Sequence, residues 1–304
     1  MACGVGNRLV SHVRDITANQ LIHRVVSTLC IPYGIIKSII PVWDKYNKKI
    51  AIVAIAKNEG PYLQEWTEFY QTQGVDNIIL FDNDSTDDTE TVLRPYIESG
   101  FVLYQKIHGK LRHLDAYNIA INRYRKIYQY MAFVDCDEFL FCKNTTVYQF
   151  VDEIMQKERY ASGIGVNWLV FGSSGHKRKP DGGVLENYKY RAIDDFEANK
   201  YIKTICNPRC VLAFICSHVP YYKNGYFNVD EDGERIEGVK TVTIKYKYIR
   251  INHYFTKSEE EYINKMKRGK GDDLSFRDMN DFIIHDRNEV FDEEIVKHEK
   301  SCYI

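Results

Sequence analysis

Two carboxylates one residue apart, Asp135 and Asp137, stand directly after an apolar run at residues 130–134 (YMAFV). At the end of a strand, carboxylates at positions i and i+2 can both reach one hard divalent cation, which prefers oxygen ligands. A cation held there can bridge two phosphates and neutralise their charge. The alternative is a solvated loop that caps a helix. The position after a buried strand favours a site for Mn²⁺ or Mg²⁺.

A second polar cluster, residues 82–89 (DNDSTDDT), follows the apolar run at residues 77–81 (NIILF). Its carboxylates and hydroxyls suit the imide N–H of uracil and the ribose hydroxyls of a nucleotide. The alternative is a capped helix start, with Ser85 or Thr86 as N-cap and acidic residues in the first turn. The two interpretations are compatible, and we expect a nucleotide site at this loop.

Apolar runs alternate with helical patterns from residue 50 onward, and this alternation predicts the fold. Residues 50–56 (IAIVAIA) form a continuous apolar run, which is typical of a strand buried in a parallel sheet. Further strands are predicted at 77–81, 101–105 and 130–134, and helices at 60–73, 89–98 and 114–125. This order predicts a doubly wound, mostly parallel α/β sheet that binds ligands outside the carboxyl ends of its strands.

The pattern after residue 160 is less regular and predicts a mixed C-terminal region. Short β-like runs lie at residues 163–170, 211–215, 239–244 and 248–252, with polar loops between them. Ser258 and Glu261 are spaced as a capping box for a helix, and Gly269 is placed to end that helix.

The chain has 304 residues and a formal net charge of −1, which excludes a nucleic-acid binder on overall electrostatics. Its eight cysteines include no Cys-x-x-Cys pair, which indicates a reduced protein with free thiols. No stretch reaches the roughly 20 apolar residues of a spanning helix, and the start lacks the pattern of a signal peptide. We therefore expect a cytoplasmic protein.

The first 49 residues are basic, with seven Lys and Arg against two Asp. Apolar residues at helical spacing within residues 16–43 predict an amphipathic segment that lies on the inner face of an anionic membrane. The alternative is that its apolar face packs on the domain that follows. The predicted units are this extension (1–49), an α/β domain (50–270) and a C-terminal helical extension (271–304).

Three motifs carry a resemblance to a known group: AKNEGPYLQEW, FDNDSTDDT and FVDCDEFL, in this order. INHYFTKSEEEYINKMKRG near the C-terminus, and KTICNP followed by His218, add to it. The sequence resembles inverting GT-A glycosyltransferases of family 2 and especially of family 92 with its bacterial relatives, over residues 50–270. This implies transfer of a sugar from a nucleotide-sugar, with a UDP-sugar favoured, to a glycan or lipid-linked hydroxyl in a C-terminal acceptor region.

The resemblance also assigns roles to single residues. Asn58, Glu59 and Asp82 would line the nucleoside pocket, and Asp84 would sit close to the ribose.

For the metal, the resemblance makes Asp137 the main ligand and places Asp135 at the ribose or the metal. His253 matches a C-terminal histidine that reaches metal or diphosphate, and a neutral imidazole suits Mn²⁺. The alternative for His253 is a structural residue at a strand end.

A basic cluster follows His253 and would hold the diphosphate of the donor once a flexible loop closes. Its members are Lys257, Lys265, Lys267 and Arg268. The alternative is a solvated helix face balanced by residues 259–261. Arg112, near the predicted donor site, is either a phosphate contact or a helix-end residue.

Inverting transfer needs a general base for the acceptor hydroxyl, and that carboxylate lies downstream of the metal triplet in GT-A enzymes. Asp194 and Asp195 are the candidates by position, while Asp181, Glu186 and Glu197 stay open. Trp168 either stacks on a sugar ring or belongs to the core.

Two other functions compete with glycosyl transfer. A metal-dependent nucleotidyltransferase usually has a glycine-rich phosphate loop after the first strand, whereas this chain has AKNEGPY there. A non-catalytic protein that binds a nucleotide or a sugar is the other alternative.

Overall fold

A computed structural model of the chain describes residues 46–158, 160–269 and 276–301. The predicted membrane-contact segment, residues 16–43, lies outside these ranges. Among the described residues, no helix is both long enough and apolar enough to cross a membrane.

Four parallel strands with helical crossovers form the first half. They run in the sheet order β4-β1-β2-β3. Their chain order, with the intervening helices, is β1 (Lys48–Ala56), α1 (Gly60–Thr72), β2 (Asn77–Asp82), α2 (Thr89–Glu98), β3 (Val102–Lys106), α3 (His113–Tyr124) and β4 (Tyr128–Phe133). Each predicted strand and helix of this half is present.

The second half extends the sheet with strands of both directions. β8 lies antiparallel between β4 and β6, and β13 pairs in parallel with β6 and antiparallel with β5. The elements are β5 (Glu138–Cys142), α4 (Val147–Lys157), β6 (Ala161–Val170), α5 (Val184–Asn187), β7 (Tyr190–Arg191), β8 (Ile202–Cys206), β9 (Val211–Phe214), β10 (Pro220–Tyr222), β11 (Phe227–Val229), β12 (Arg235–Ile236), β13 (Ile249–His253), α6 (Glu259–Arg268), α7 (Met279–His285), β14 (Val290–Phe291) and α8 (Glu294–Ser301). The mixed C-terminal region is therefore present.

Apolar cores lie on both faces of the sheet. Successive side chains of a strand point to opposite faces, so Ile52 of β1 packs with α1 and α2, whereas Val53 packs with α3. Both residues are fully buried. Two-sided burial explains why β1 has no polar alternation, and it confirms the predicted doubly wound α/β class.

One predicted β-like run, residues 239–244, is wrong. This segment contributes only an isolated bridge between Lys240 and Tyr201, and the Val242 side chain is 95% exposed. Isolated hydrogen bonds hold the backbone here instead of a strand ladder. The Thr241 amide donates to the Lys200 carbonyl, and the Lys245 amide just beyond the run donates to the Asn167 side chain.

The direction of the strands brings the polar motifs to one edge. β1, β2 and β4 are parallel, so the loops that follow them emerge side by side. β6 is antiparallel to β8, which is antiparallel to β4, and β13 is parallel to β6. The last residue of β13, His253, therefore reaches the same edge as the loop after β4.

A buried ion cluster anchors the C-terminal segment to the sheet. Asp292 accepts two hydrogen bonds from Arg250, at 2.8 and 2.9 Å, and one from Arg191 Nε at 2.8 Å. Arg250 is 1% exposed. Burial raises the pKa of the Asp292 carboxyl, but the two guanidinium groups outweigh burial and hold that pKa well below its ordinary value.

The predicted domain limits at 49/50 and 270/271 stay predictions.

We expect Asp292→Asn to lower the free energy of unfolding at neutral pH by about 3 kcal/mol, because buried Arg250 loses its two-oxygen partner and keeps only the partly exposed carboxylate of Glu294. The folded-state pKa is depressed, so this contribution is complete above the ordinary aspartate value of 3.8 and is lost as the pH falls below it. Urea unfolding of both proteins at several pH values measures the difference. A constant difference down to strongly acidic pH would contradict this account.

Candidate active site

The loop after β1 is held by the C-terminal end of α6. Arg268 Nη1 donates to the carbonyls of Lys57 (2.7 Å) and Asn58 (2.9 Å), and it pairs with Glu59 Oε1 at 2.7 Å. Asn58 has a left-handed backbone, with φ of 53°. The loop conformation therefore depends on a residue about 210 positions later in the chain.

The loop after β2 folds against the same place. Asn58 Oδ1 accepts the Thr86 amide at 2.7 Å, and Asp82 accepts the Ser85 amide at 3.0 Å and the Tyr104 hydroxyl. Asn58 and Asp82 thus position the two loops. The predicted N-cap at Ser85 or Thr86 is wrong, because α2 begins at Thr89 after Asp88 and has no side-chain cap.

Asp84 is an exposed carboxylate of this loop, as are Asp87 and Asp88. Its side chain is 41% exposed, and it accepts the Gly109 amide at 2.9 Å and contacts His108 Nδ1 at 2.5 Å. The Gly109 amide and His108 lower the pKa of this carboxyl. Two carboxylate oxygens accept about four hydrogen bonds, so acceptor capacity for a ligand remains.

Asp135 pairs with a buried lysine of β8. Lys203 Nζ lies 2.9 Å from Asp135 Oδ2, and His113 Nε2 lies 3.4 Å from Oδ1. Burial raises the pKa of the Asp135 carboxyl, but Lys203 and His113 outweigh it and lower that pKa to about 2. The Lys203 side chain is only 2% exposed. Asp135 is therefore an ion-paired carboxylate at the mouth of the site, with 33% of its side chain exposed.

Asp137 pairs with a lysine of α6. Lys265 Nζ lies 2.6 Å from Asp137 Oδ2, and His253 Nε2 lies 3.7 Å from Oδ1. Burial raises the pKa of the Asp137 carboxyl, but Lys265 and His253 outweigh it and hold that pKa well below its ordinary value. Burial, the largest influence, lowers the pKa of His253 to about 3, so its imidazole is neutral at physiological pH.

Glu138, directly after the triplet, is fully buried, and its pKa is shifted in the opposite direction to the pKa values of Asp135 and Asp137. Its Oε2 accepts the Asp135 amide at 3.0 Å, and its Oε1 lies 3.8 Å from Lys203 Nζ. Burial raises the pKa of this carboxyl well above its ordinary value. Through its hydrogen bond from the Asp135 amide, Glu138 fixes the backbone of the triplet. Burial likewise raises the pKa of the Cys136 thiol.

The basic cluster on and before α6 is partly buried and lines a cleft of about 540 Å³ beside Asp137. The predicted capping box is present, with Ser258 and Glu261 bonded reciprocally, and Gly269 ends the helix at φ of 77°. The alternative of a solvated face is wrong for Lys265, which is 9% exposed, and for Glu261, which accepts hydrogen bonds from the hydroxyls of Tyr62 and Tyr188. Lys257 Nζ lies 4.0 Å from the Tyr62 ring centre.

The remaining predicted residues have other partners. Arg112 pairs with Asp115 at 2.8 Å, directly before α3. Asp194 pairs with Arg191 at 2.8 Å and has 65% of its side chain exposed. Hydrogen bonds from Tyr246, and then Arg191, lower the pKa of Asp194. Asp195 beside it is exposed. The assignment of the base stays a prediction.

An aromatic group packs on His253. The ring centre of Trp168 lies 4.3 Å from that of His253 and 5.2 Å from that of His218, and Tyr201 packs 5.5 Å from Trp168. Trp168 therefore fixes the imidazole plane from the side. His218, which belongs to the motifs that carry the sequence resemblance, contacts the site through the Trp168 ring.

Sequence reasoning missed Lys203 and Glu138. Lys203 opens the KTICNP motif, and Glu138 follows Asp137 in FVDCDEFL, so both stood inside quoted motifs. Their function depends on burial and on a pairing across 68 positions, neither of which is visible in local spacing.

We expect Lys203→Met to lower the free energy of unfolding by about 3 kcal/mol, because Asp135 loses its buried counter-ion. Lys157→Met is the matched control, since that lysine pairs with Glu153 on the surface, where such pairs contribute little. Thermal and urea unfolding of the three proteins measure the effect. Equal losses in the two variants would show that Lys203 has no special electrostatic role.

Comparison with known proteins identifies relatives. The family model described as glycosyltransferase family 92 matches residues 55–291. A glycosyltransferase family 92 protein of Ricinus communis is 23% identical over 72% of this chain and 38% of its own length. One of Oryza sativa subsp. japonica is 24% identical, over 70% and 34% respectively. The chain thus spans less than two fifths of the length of these relatives.

Solved structures with a related arrangement include S. aureus TarS 1–349 in complex with UDP-GlcNAc, with a TM-score of 0.41 and 11% identity. That match covers 84% of this chain and 71% of the other. TarS 1–349 alone gives a TM-score of 0.39 at 12% identity, over 68% and 61%. Because the family model covers far more than half of the sequence, the chain belongs to glycosyltransferase family 92.

Proposed function

We propose that this chain transfers a sugar from a nucleotide-sugar, a UDP-sugar by preference, to a hydroxyl of a glycan or lipid-linked acceptor. The observation that carries the proposal is the pair of Asp137 and a buried, neutral His253 at the edge where the loops after β1, β2 and β4 meet. Family membership favours glycosyl transfer over the nucleotidyltransferase and binding-protein alternatives.

Divalent cation binding fits Asp137 and His253. The 3.7 Å between Asp137 Oδ1 and His253 Nε2 suits two ligands of one ion, and the buried His253 Nδ1 has no hydrogen-bond partner among the described residues. Within residues 46–158, 160–269 and 276–301 there is no group of three His, Cys, Asp or Glu side chains that could hold a metal. The donor diphosphate would therefore supply the other oxygens. Bound Mn²⁺ or Mg²⁺ would neutralise the leaving nucleoside diphosphate, and the imidazole favours Mn²⁺.

The nucleoside would lie across the loops after β1 and β2. Asp84 is a carboxylate there with spare acceptor capacity for the ribose hydroxyls. Asn58, Glu59 and Asp82 act on the donor by holding the two loops together, since their side chains already bond Thr86, Arg268 and Ser85.

The diphosphate would lie against the cleft beside α6. Lys257 and Arg268 line that cleft together with Lys57, Lys265 and Lys267, and cations attract a phosphate anion strongly where water is partly excluded. Arg112, near the loop after β3, is a further candidate contact. The proposed membrane contact through residues 16–43 stays a prediction, because those residues lie outside the described part.

We expect Mn²⁺ to strengthen UDP binding and EDTA to abolish transfer. Asp137→Ala should lose both the metal effect and transfer while the protein stays folded, because one of two protein ligands is gone. Calorimetry with and without Mn²⁺ measures binding, and Asp232→Ala, at a half-exposed carboxylate paired with Lys245, is the control. UDP affinity that ignores both metal and Asp137→Ala would refute the metal site.

A general base abstracts the acceptor proton, so its removal lowers kcat by about 10²–10⁴-fold and leaves UDP binding unchanged. Asp194→Asn and Asp195→Asn, compared side by side, test the two candidates, with each serving as the control for the other. Transfer to a defined acceptor and calorimetry of UDP separate the two effects. Wild-type kcat in both variants would move the assignment to Asp181, Glu186 or Glu197.

A further inference from the structure

The Lys265 ammonium occupies one side of Asp137 at close range. Nζ lies 2.6 Å from Asp137 Oδ2 and 2.8 Å from the Phe255 carbonyl oxygen, and 4.2 Å from the Phe255 ring centre. The whole residue is 9% exposed. A capped helix delivers this side chain, because the Ser258–Glu261 box fixes the start of α6. The contact is thus built into the fold.

This contact competes with a divalent cation. A carboxylate oxygen that already accepts from an ammonium at 2.6 Å is a weakened metal ligand, and the positive charge repels a cation brought to either oxygen. Asp137 is left with Oδ1, which faces the neutral imidazole of His253. As long as Lys265 stays on Asp137, only Asp137 Oδ1 and His253 Nε2 are placed to bind the cation. Two ligand atoms are too few for a hard divalent ion.

The neighbouring cleft offers the ammonium another partner. Two acidic residues line it, Asp87, which accepts two backbone amides, and Glu261, which is engaged by Ser258 and two tyrosine hydroxyls. Against them stand five basic lining residues, Lys57, Lys257, Lys265, Lys267 and Arg268. An anion in this cleft would therefore meet an excess of positive charge. A diphosphate there would attract the Lys265 ammonium away from Asp137.

We propose that Lys265 is the resident cation of Asp137 in the empty site and releases the carboxylate to the divalent cation only when the donor diphosphate enters the cleft. This inference rests on the proposed function, because it requires a nucleotide diphosphate and a metal at this site. Lys265 is then a positioning residue that couples binding of the divalent cation to binding of the donor diphosphate. Neither the cation nor the diphosphate is bound tightly without the other.

Mn²⁺ binding to the full chain, titrated by electron paramagnetic resonance with and without UDP, tests the proposal. Without UDP, Lys265→Met should bind Mn²⁺ about tenfold more tightly than the wild type or more, because the competing charge is gone. With UDP, the wild type should gain Mn²⁺ affinity strongly, whereas Lys265→Met should gain little. Lys267→Met removes the same charge from the same cleft and helix and should keep the wild-type Mn²⁺ affinity without UDP.

Lys265→Gln is a second variant that keeps a donor for the Phe255 carbonyl, in case the methionine variant does not fold. Wild-type protein that binds Mn²⁺ equally well with and without UDP would overturn the proposal, whatever the variants do. Equal tightening in Lys265→Met and Lys267→Met would also overturn it, since general charge would then explain the effect. Failure of every form to bind Mn²⁺ even with UDP would instead refute the proposed metal-dependent function.

Discussion

Two aspartates of one loop, Asp137 buried and Asp135 partly buried, must each find a positive partner, and much of the molecule follows from this requirement. A buried charge without a partner destabilises the folded state strongly, so removing either member of a buried ion pair lowers the free energy of unfolding. Asp135 takes Lys203, 68 positions later, and Asp137 takes Lys265, 128 positions later. β8 must therefore begin, and α6 must end, close to the loop after β4. The mixed half of the sheet is the arrangement that brings them there.

Local patterns predicted the elements with local causes. The apolar run at 50–56, buried on both faces, and the capping box at Ser258 were predictable because strand burial and helix capping act over a few residues. The predicted strand at 239–244 failed because Val242 has no apolar surface to pack against. The lysine partners were not predictable, since a lysine in a sequence looks the same whether it is buried or solvated.

The site also shows how distant segments share one conformation. His253 has its imidazole plane fixed by Trp168, and its neutral state results from burial among these rings more than from any single charge. The same burial would prevent proton competition for the imidazole lone pair. Packing and electrostatics are therefore not separate contributions here, because the aromatic side chains determine which protonation state the metal-ligand candidate has.

Arg268 holds the loop after β1 largely by hydrogen bonds to two main-chain oxygens, those of Lys57 and Asn58. Every residue type has a main-chain carbonyl, so these two hydrogen bonds do not themselves require particular side chains at positions 57 and 58. They depend on the number of residues between β1 and α1. Evolution can therefore change the side chain of Lys57 toward a different ligand at little structural cost, whereas the Asn58 side chain also holds the Thr86 amide. An insertion or deletion of one residue there would shift both carbonyls and release α6.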